Sequence, residues 1–333
     1  MRQTCLLILL LSAAVADAWQ DAKGSSIRLA FAGDVMLDTL PGEAALRGED
    51  IFAPIQEILA RADVAVANLE CAIGAVGRPV EGKPYAFRAS PQVIPLLARH
   101  FQAVSVANNH TGDFGRDGFV ETLQLLQGRV AAFGGGRNRV EAHRPLLVKR
   151  RGVCLALLGY NEFQPREFEA GPDTPGVAWS DDRDVVADIA AARAAGADFV
   201  VPFMHWGWEG EPRPSRRQRR LARRMIDAGA DLVVGGHPHI TQGAELYKGR
   251  LIVYSLGNFV FDGFSTVAGR TGWLLSVVLD RSGVTEWEIL TVTLDDRGLP
   301  HPVAGGTVIR GRTTPRQARS QTWKPPVPKP LLF

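Results

Sequence analysis

Five short apolar runs in the sequence each stop at a residue that can bind a metal ion or move a proton. The runs have strand length, and Asp, Glu, Asn and His are poor strand formers, so strand propensity does not explain these ends. Because the carboxyl ends of parallel strands meet at one edge of a sheet, we expect these ends to form one site. The runs are 27–32 before Asp34, 64–67 before Asn68 and Glu70, 104–107 before Asn108, Asn109 and His110, 199–204 before His205, and 231–234 before His237 and His239.

The last of these runs leads into Gly235-Gly236-His237-Pro238-His239. The glycines let the backbone turn sharply and approach a ligand closely. Imidazole is the commonest metal ligand at neutral pH, although one His-x-His pair alone is more often structural. A polar residue that merely caps a strand is also the simpler interpretation of any single run. Together, however, the strand ends supply both oxygen and nitrogen ligands, and this mixture favours a shared metal site.

Helix-like stretches separate the apolar runs, and this alternation predicts an α/β fold with parallel strand pairing. Ser90 is the predicted N-cap of the second helix, with Pro91 in its first turn. Ser215 precedes the fifth helix, and Gly229 follows it. The predicted helices span about 54–62, 91–100, 118–126, 184–195 and 216–228.

After His239 the pattern changes to strand-like runs at 251–255, 273–279 and 287–294, with no helix between them. This part is therefore expected to be mostly antiparallel. A chain of 333 residues can bury a full hydrophobic core. We expect residues 19–309 to form one domain with mixed sheets.

Residues 1–18 have the features of a secretory signal peptide. Arg2 precedes an apolar run at 6–15, and Ala16-Asp17-Ala18 resembles a cleavage site before Trp19. The apolar run is too short to span a bilayer, and no later segment is long and apolar enough to do so. We therefore expect the mature chain to be exported, periplasmic or secreted, and without a transmembrane segment.

Cleavage before Trp19 would leave two of the three cysteines, Cys71 and Cys154. They could form a disulfide in an oxidising compartment. Cys154 lies inside an apolar run, which favours a buried free thiol. Cys71 directly follows Glu70, where a catalytic thiol is a less favoured alternative.

Residues 310–333 form a basic, proline-rich tail with six basic residues and no acidic one. This composition predicts an extended, disordered segment. The tail could contact anionic lipid, a wall polymer or the product, or it could be solvated without a role. The rest of the mature chain has a slight excess of acidic residues and no nucleic-acid-binding motif, so we expect no nucleic-acid partner.

The fifth predicted helix carries arginine on most of its faces. Leu221, Met225 and Ala228 form an apolar stripe at helical spacing, and arginines occupy most of the remaining positions. A solvated face explains them most simply, while the alternative is an electropositive wall that attracts a polyanion. The arginines are Arg216, Arg217, Arg219, Arg220, Arg223 and Arg224, preceded by Arg213.

Six ordered motifs carry a resemblance to a known family. They are Gly33-Asp34-Val35-Met36-Leu37, Asn68-Leu69-Glu70, Ala107-Asn108-Asn109-His110 with Asp113 and Gly115, His205-Trp206-Gly207-Trp208-Glu209, Gly236-His237-Pro238-His239, and Ser255-Leu256-Gly257-Asn258-Phe259. Over residues 28–262 the chain resembles the bacterial capsule synthesis protein CapA family, also called poly-gamma-glutamate biosynthesis proteins. That family belongs to the calcineurin-like metallophosphoesterase superfamily. The resemblance implies a four-layer α/β/β/α sandwich with mixed sheets and a two-metal site between sheet edges.

The resemblance also implies roles for individual residues. Glu70 would bridge two divalent metal ions, and His110 would be the general acid or a substrate-orienting imidazole. A ligand set of carboxylate, carboxamide and imidazole suits manganese, iron or zinc. The residues that would bind the metals are Asp34 and His239 for the first ion, Glu70 between the ions, and Asn109, His205 and His237 for the second ion. The residues that would orient them are Asp113, Glu209 and Asn258.

Two positions depart from the wider superfamily. Its first motif is Asp-x-His, but Met36 stands here in place of that histidine. Methionine is a poor ligand for hard divalent ions. Glu70 also replaces a shorter bridging aspartate.

Two functions are compatible with these features. The first is a metal-dependent hydrolase of a phosphoester, or of an amide in an exported polyanion such as polyglutamate. The second is an accessory subunit that binds an anionic polymer or its synthesis and export machinery, such as a membrane-bound polymer synthase, without turnover. The ligand set favours the first function, whereas Met36, the arginine-rich helix and the basic tail favour the second.

Overall fold

Two large β-sheets pack face to face in this protein, and helices cover the outer face of each sheet. The computed structural model describes residues 26–163, 166–280, 283–303 and 309–312, with the backbone of 321–322. Its layer order confirms the predicted four-layer α/β/β/α sandwich with mixed sheets. The predicted signal peptide and most of the predicted tail lie outside the described residues.

The first sheet has nine strands. They are β1 (Ile27–Val35), β2 (Val64–Leu69), β5 (Ala103–Ser105), β6 (Ala131–Phe133), β15 (Asn258–Val260), β16 (Thr271–Asp280), β17 (Gly283–Leu294), β18 (Pro300–Pro302) and β19 (Ile309–Arg312). β1, β2, β5 and β6 pair in parallel, as the alternating half of the sequence predicts. β16 pairs antiparallel with β1 and β17, while the short β15 pairs in parallel with β1.

The second sheet has seven strands. They are β8 (Leu146–Arg150), β9 (Val153–Asn161), β11 (Phe199–His205), β12 (Leu232–Gly236), β13 (Thr241–Tyr247), β14 (Arg250–Leu256) and β20 (Gln321–Thr322). β9, β11, β12 and β14 are parallel, and β8 and β13 add antiparallel neighbours. Two small sheets pair β3 (Ala72–Ile73) with β4 (Arg88–Ala89), and β7 (Gly135–Gly136) with β10 (Gly176–Val177).

The helices divide between the two outer layers. Those packed on the first sheet are α1 (Thr39–Leu46), α2 (Gln56–Ala60), α3 (Ile94–His100) and α4 (Gly115–Leu126). Those packed on the second sheet are α5 (Arg139–Ala142), α6 (Asp182–Ala194) and α7 (Arg216–Asp227). Single 3-10 turns lie at Ala53–Ile55, Pro91–Val93 and Arg166–Phe168. Each of the predicted helices has a counterpart, and α1 and the short α5 are additions.

The helix caps follow the sequence signals. Ser90 accepts a hydrogen bond from Gln92 N and caps a 3-10 turn that leads directly into α3. Ser215 and Gln218 form a capping box at the start of α7. α1 was not predicted because its sequence contains a proline and a glycine, yet Asp38 caps it through Thr39 N.

Three apolar clusters hold the layers together, one between the sheets and one under each helical layer. Between the sheets, Phe31 of β1 faces Phe203 of β11, with ring centroids 6.3 Å apart. Burial of each such side chain stabilises the fold by about 1.5–3 kcal/mol. This packing holds the two sheets face to face, so that the carboxyl ends of β1 and β11 lie close together.

Strand β19 extends the folded part past the predicted boundary at residue 309. Arg310 and Arg312 were assigned to the disordered tail, but both lie in β19. They pair with Glu288 and Glu286 at 3.2 and 3.1 Å. The sequence showed only their basic charge and not the acidic partners on β17. In the part of the chain described, no helix combines the length and apolarity needed to cross a bilayer.

Candidate metal centre

Strand ends from both sheets meet in one buried cluster of polar side chains. In the first sheet, Asp34 lies directly between Asn68 on β2 and Asn258 on β15. In the second sheet, His205 at the end of β11 pairs with Gly236 at the end of β12. The backbone N of His237 donates to Asp34 Oδ2 at 3.1 Å, and this bond joins the two sheets at the site.

Two carboxylates lie at the centre of the cluster, and both are fully buried. Asn68 Nδ2 donates to Asp34 Oδ1 at 2.9 Å and to Glu70 Oε2 at 3.1 Å. Burial, reinforced by the nearby charge of Asp34, raises the pKa of Glu70 well above its ordinary value. Glu70 Oε1 is buried and has no hydrogen-bond partner among the described residues. A buried oxygen of this kind is costly unless a ligand occupies it.

Two imidazoles face these carboxylates from the second sheet. His205 Nε2 lies 2.7 Å from Asn109 Oδ1 and 3.7 Å from Glu70 Oε1. His237 Nδ1 lies 3.1 Å from His205 Nε2. Burial and the neighbouring imidazoles lower the pKa of His205 and of His237 well below the ordinary value, so both rings are neutral at pH 7. A neutral imidazole has the lone pair that metal binding requires.

A third imidazole, His239, is oriented by an amide. Its Nδ1 donates to Asn258 Oδ1 at 2.8 Å, because Asn258 Nδ2 is engaged by Gly269 O at 2.8 Å. His239 Nε2 then lies 3.6 Å from Glu70 Oε1. The bond to Asn258 therefore fixes the tautomer of His239 and leaves its Nε2 lone pair toward the carboxylates.

The histidine loop has an unusual backbone. His237 has φ 93° and His239 has φ 56°, and both values fall in a region that favours glycine. Residues held there cost about 1–3 kcal/mol each and concentrate at functional sites. A Cβ atom at Gly236 would lie 2.6 Å from Asp34 Oδ1, so only glycine leaves room for that carboxylate.

His110 lies beside the centre in a hydrogen-bonded chain. Its Nδ1 is 2.8 Å from Asp113 Oδ2, and Phe87 N also donates to that oxygen at 2.7 Å. The ammonium of Lys83 forms an ion pair with Asp113 and donates to Asn109 O at 2.5 Å. Burial lowers the pKa of His110 more than the Asp113 carboxylate raises it.

Aromatic rings pack on three histidines of the site, His110, His237 and His239. Phe163 packs on His237 with ring centroids 3.9 Å apart, and Phe87 packs on His110 at 4.6 Å. Phe261 lies 4.9 Å from His239. These rings restrict water around the imidazoles and limit their rotation.

The donor set fits divalent metal ions. Two overlapping groups of side chains have ligand atoms within 4.8 Å of one another. They are Glu70, His237 and His239, and Asp34, Glu70 and His205. Besides Glu70 Oε1, His237 Nε2 is buried without a hydrogen-bond partner in the described chain. Mixed carboxylate and imidazole ligands suit manganese, iron or zinc.

The structure brings nine of the ten sequence-predicted site residues into this cluster or its hydrogen-bonded surroundings. They are Asp34, Glu70, Asn109, His110, Asp113, His205, His237, His239 and Asn258. Glu209 is exposed, and it forms no hydrogen bond or ion pair with the described residues. Its only effect on the site is electrostatic, because its negative charge contributes to the raised pKa of Glu70.

Three further contributors had been given no role in the site: Asn68 and Asn108, which the sequence placed only at strand ends, and Lys83. Asn108 Nδ2 donates to Asn68 Oδ1 at 3.0 Å, and Asn108 Oδ1 accepts from His110 N at 3.0 Å. Asn68 lies two residues before Glu70, so alternation along a strand could have placed both on one side. Lys83 comes from a loop and carries no such signal.

Met36 and the cysteines lie outside the ligand set. Met36 is buried in the apolar core, where its sulfur accepts from Asp38 N at 3.1 Å. Burial raises the pKa of the Cys71 thiol to about 12, which argues against a catalytic thiolate. Cys71 and Cys154 are both buried and free, so they do not pair.

Comparisons with known proteins find relatives over much of this chain. The PGA biosynthesis protein CapA of Bacillus subtilis (strain 168) is 32% identical over 279 residues, 82% of this chain and 73% of that protein. A probable polyglutamine synthesis accessory protein of Mycobacterium tuberculosis (strain CDC 1551 / Oshkosh) is 34% identical over 212 residues, 60% of this chain and 56% of that protein. The chain thus spans only about half of this second relative.

Among solved structures, the NAD nucleotidase of Haemophilus influenzae has the same fold, with a TM-score of 0.50 at 11% identity over 84% of this chain and 61% of that chain. The fold is therefore that of the calcineurin-like metallophosphoesterases. The family model for bacterial capsule synthesis protein PGA_cap matches residues 28–263. The chain belongs to the bacterial capsule synthesis protein PGA_cap family.

Proposed function

We propose that this protein is an exported, metal-binding protein of capsule or poly-gamma-glutamate-type polymer metabolism, and that its centre hydrolyses a phosphoester or amide bond. One observation carries the hydrolase proposal. Buried Asp34 and Glu70 meet three imidazoles at a sheet edge, with Glu70 Oε1 and His237 Nε2 left without protein partners in the described chain. Membership of a capsule synthesis family and the names of both relatives support the polymer assignment.

The ligands divide between two ions in this proposal. Asp34 and His239 would hold the first ion, and Asn109, His205 and His237 the second. Glu70 would lie between them, which accounts for its contacts with residues of both groups. Two bound divalent ions would polarise a phosphoryl or carbonyl oxygen and make a water molecule more acidic.

His110 would supply proton transfer beside the ions. Its Nδ1 hydrogen is engaged by Asp113, so Nε2 is the atom that can accept a proton and return it to a leaving group. Lys83 balances the charge of Asp113. Its ammonium also donates to Asn109 O, which connects the loop of Lys83 to the loop of Asn109. This ion pair would keep His110 positioned while the lowered pKa leaves its imidazole neutral and able to accept a proton.

A second candidate function is a non-catalytic accessory subunit that binds an anionic polymer or a membrane-bound polymer synthase. Met36 favours it, because this residue replaces the histidine that the superfamily places beside the first ion. The sulfur of Met36 is engaged by Asp38 N within the core and cannot replace that imidazole. The accessory protein of M. tuberculosis supports association with polymer synthesis.

Turnover separates the two functions. We would strip the mature chain with a chelator, reload it with manganese, iron or zinc, and measure hydrolysis of bis-p-nitrophenyl phosphate and of poly-gamma-glutamate. The hydrolase proposal predicts turnover that requires metal and falls about 100-fold or more in His110→Ala, with metal content unchanged. Metal binding without turnover of any tested substrate would instead support the accessory role.

A further inference from the structure

The outer face of α7 carries three arginines that have no partner among the residues described by the structure. Arg216, Arg219 and Arg220 are exposed, and their guanidinium groups make no hydrogen bond or ion pair with any residue that the structure describes. The other arginines of this helix differ. Arg217 and Arg224 pair with Asp182, and Arg223 pairs with Glu245 at 2.6 Å.

These side chains line an open groove of about 460 Å³ along the helix. The groove contains one acidic residue, Asp227, at its far end. Its lining residues are Arg216, Arg219, Arg220, Arg223, Arg224 and Asp227. Since Arg223 and Arg224 retain their charge while paired, the groove has a strong excess of positive charge.

Helix stability gives no reason for this arrangement. Arginines near the start of a helix lie at the positive end of its dipole, and the first turn of α7 has no acidic residue. Like charges three and four residues apart, as at Arg216, Arg219 and Arg220, also repel each other. The Ser215 capping box and the buried stripe of Leu221 and Met225 hold the helix despite these effects. The three arginines are therefore better explained by a ligand.

We propose that this basic face of α7 binds a flexible polyanion with closely spaced carboxylates. Guanidinium groups bind carboxylates in a bidentate manner, and successive turns of α7 repeat such a donor along the groove. The choice of a carboxylate polymer over a phosphate polymer rests on the proposed function.

Two other polyanionic partners fit less well. A membrane surface is usually entered by exposed apolar side chains, but the exposed large hydrophobic residues of the described chain lie elsewhere, as at Tyr85, Trp208 and Val267. Single-stranded nucleic acid is usually held by stacking on exposed aromatic rings. The Tyr247 ring beside this face is already covered by Arg223, whose guanidinium carbon lies 5.3 Å from the ring centroid.

The amino-terminal end of the basic face is connected to the metal centre by hydrogen bonds. The segment between His205 and α7 is joined to the histidine loop by Gly210 N, which donates to Pro238 O at 2.9 Å. At the first turn of α7, Arg217 bonds Glu162, and Glu162 N donates to His205 O at 2.8 Å. A polymer held along α7 would thus reach the rim of the centre at the amino-terminal end of the helix.

The test compares full-length variants that lose the same charge in different places. The first is Arg216→Gln/Arg219→Gln/Arg220→Gln. The matched control replaces three exposed arginines outside α7, as Arg61→Gln/Arg129→Gln/Arg137→Gln. Binding of end-labelled poly-gamma-glutamate is measured by fluorescence anisotropy at low and at physiological salt. Metal-stripped protein is used, so that the result does not depend on the metal centre.

We expect the α7 variant to bind about tenfold more weakly at low salt and to show a shallower salt dependence, because three exposed charge contacts are lost. The control should stay within about twofold of the wild type. Equal losses in both variants, or none in either, would overturn the proposal. A second result would also overturn the proposal. In that result the wild type binds anionic vesicles or single-stranded DNA as tightly as the polymer, and the α7 substitutions weaken that binding equally.

Discussion

His239 Nδ1 donates to Asn258 Oδ1 at 2.8 Å, and this bond couples the histidine loop to the strand beside Asp34. Asn258 in turn donates to Gly269 O, so the amide cannot rotate freely. The side chain of His239 is thereby held with Nε2 3.6 Å from Glu70 Oε1. A residue outside the proposed ligand set thus determines the orientation of one ligand.

Asn258→Ala should weaken metal binding by about 10–100-fold, because His239 would lose the partner that fixes its tautomer. The substitution also leaves Gly269 O without its donor, so a fall of about 1–3 kcal/mol in the free energy of unfolding is expected. Chelator competition measures the affinity, and urea unfolding measures the stability. Unchanged affinity in a folded variant would show that Asn258 does not position a ligand.

Lys83→Met should lower the free energy of unfolding by about 2–3 kcal/mol, because buried Asp113 would lose its ion-pair partner. Adding Asp113→Asn should recover part of this loss, since the unpaired buried charge is then removed. A double-mutant cycle by urea unfolding gives the coupling. Lys149→Met, at an exposed lysine, should change stability by no more than about 0.5 kcal/mol. Strictly additive effects at 83 and 113 would contradict the ion pair.

Metal affinity should rise with pH. The pKa of Glu70 is raised in the metal-free fold, so a bound metal must displace its proton, and that displacement becomes easier as pH increases. The same raised pKa affects the stability of the metal-free protein. Above pH 4.5 the Glu70 carboxyl ionises in the unfolded chain while it stays protonated in the folded chain, so the free energy of unfolding of the metal-free protein falls as pH rises. The gap in melting temperature between loaded and stripped protein should therefore widen from pH 6 to pH 8. A gap that narrows over this range would contradict the assignment of Glu70.

Export predicts a defined amino terminus. Residues 1–18 should be absent from protein recovered outside the cytoplasm, and its chain should begin at Trp19. Intact-mass measurement of protein expressed with its full sequence in a bacterial host tests this. A cytoplasmic product that retains residues 1–18 would contradict both cleavage and export.

The candidate site was largely predictable because each ligand follows a strand within a few residues. Asp34, His205 and His237 are local features of the sequence. Parallel pairing aligns the strand ends within each sheet, and the packing of the two sheets brings both sets together. Asn68 becomes central only through the register that places it beside Asp34. Lys83 reaches Asp113 from a loop 30 residues away, and no local pattern indicates that contact.

The fold was predictable where periodic patterns were strong and less so elsewhere. The capping signals at Ser90 and Ser215 correctly marked helix starts. α1 was missed because Pro41 and Gly42 disfavour a helix, and its formation depends on packing and on the Asp38 cap. β19 was missed because its arginines were interpreted as part of the basic tail. In the structure they pair with Glu286 and Glu288 on the neighbouring strand.

The metal content of purified mature protein tests the central claim most directly. Elemental analysis would compare the wild type with Asp34→Ala, His237→Ala and the half-buried control His301→Ala, which lies outside the site, with circular dichroism to verify folding. We predict about two equivalents of divalent metal in the wild type and in His301→Ala. Each site variant should remain folded and lose about one equivalent or more. Wild-type metal content in both folded site variants would contradict the proposed centre.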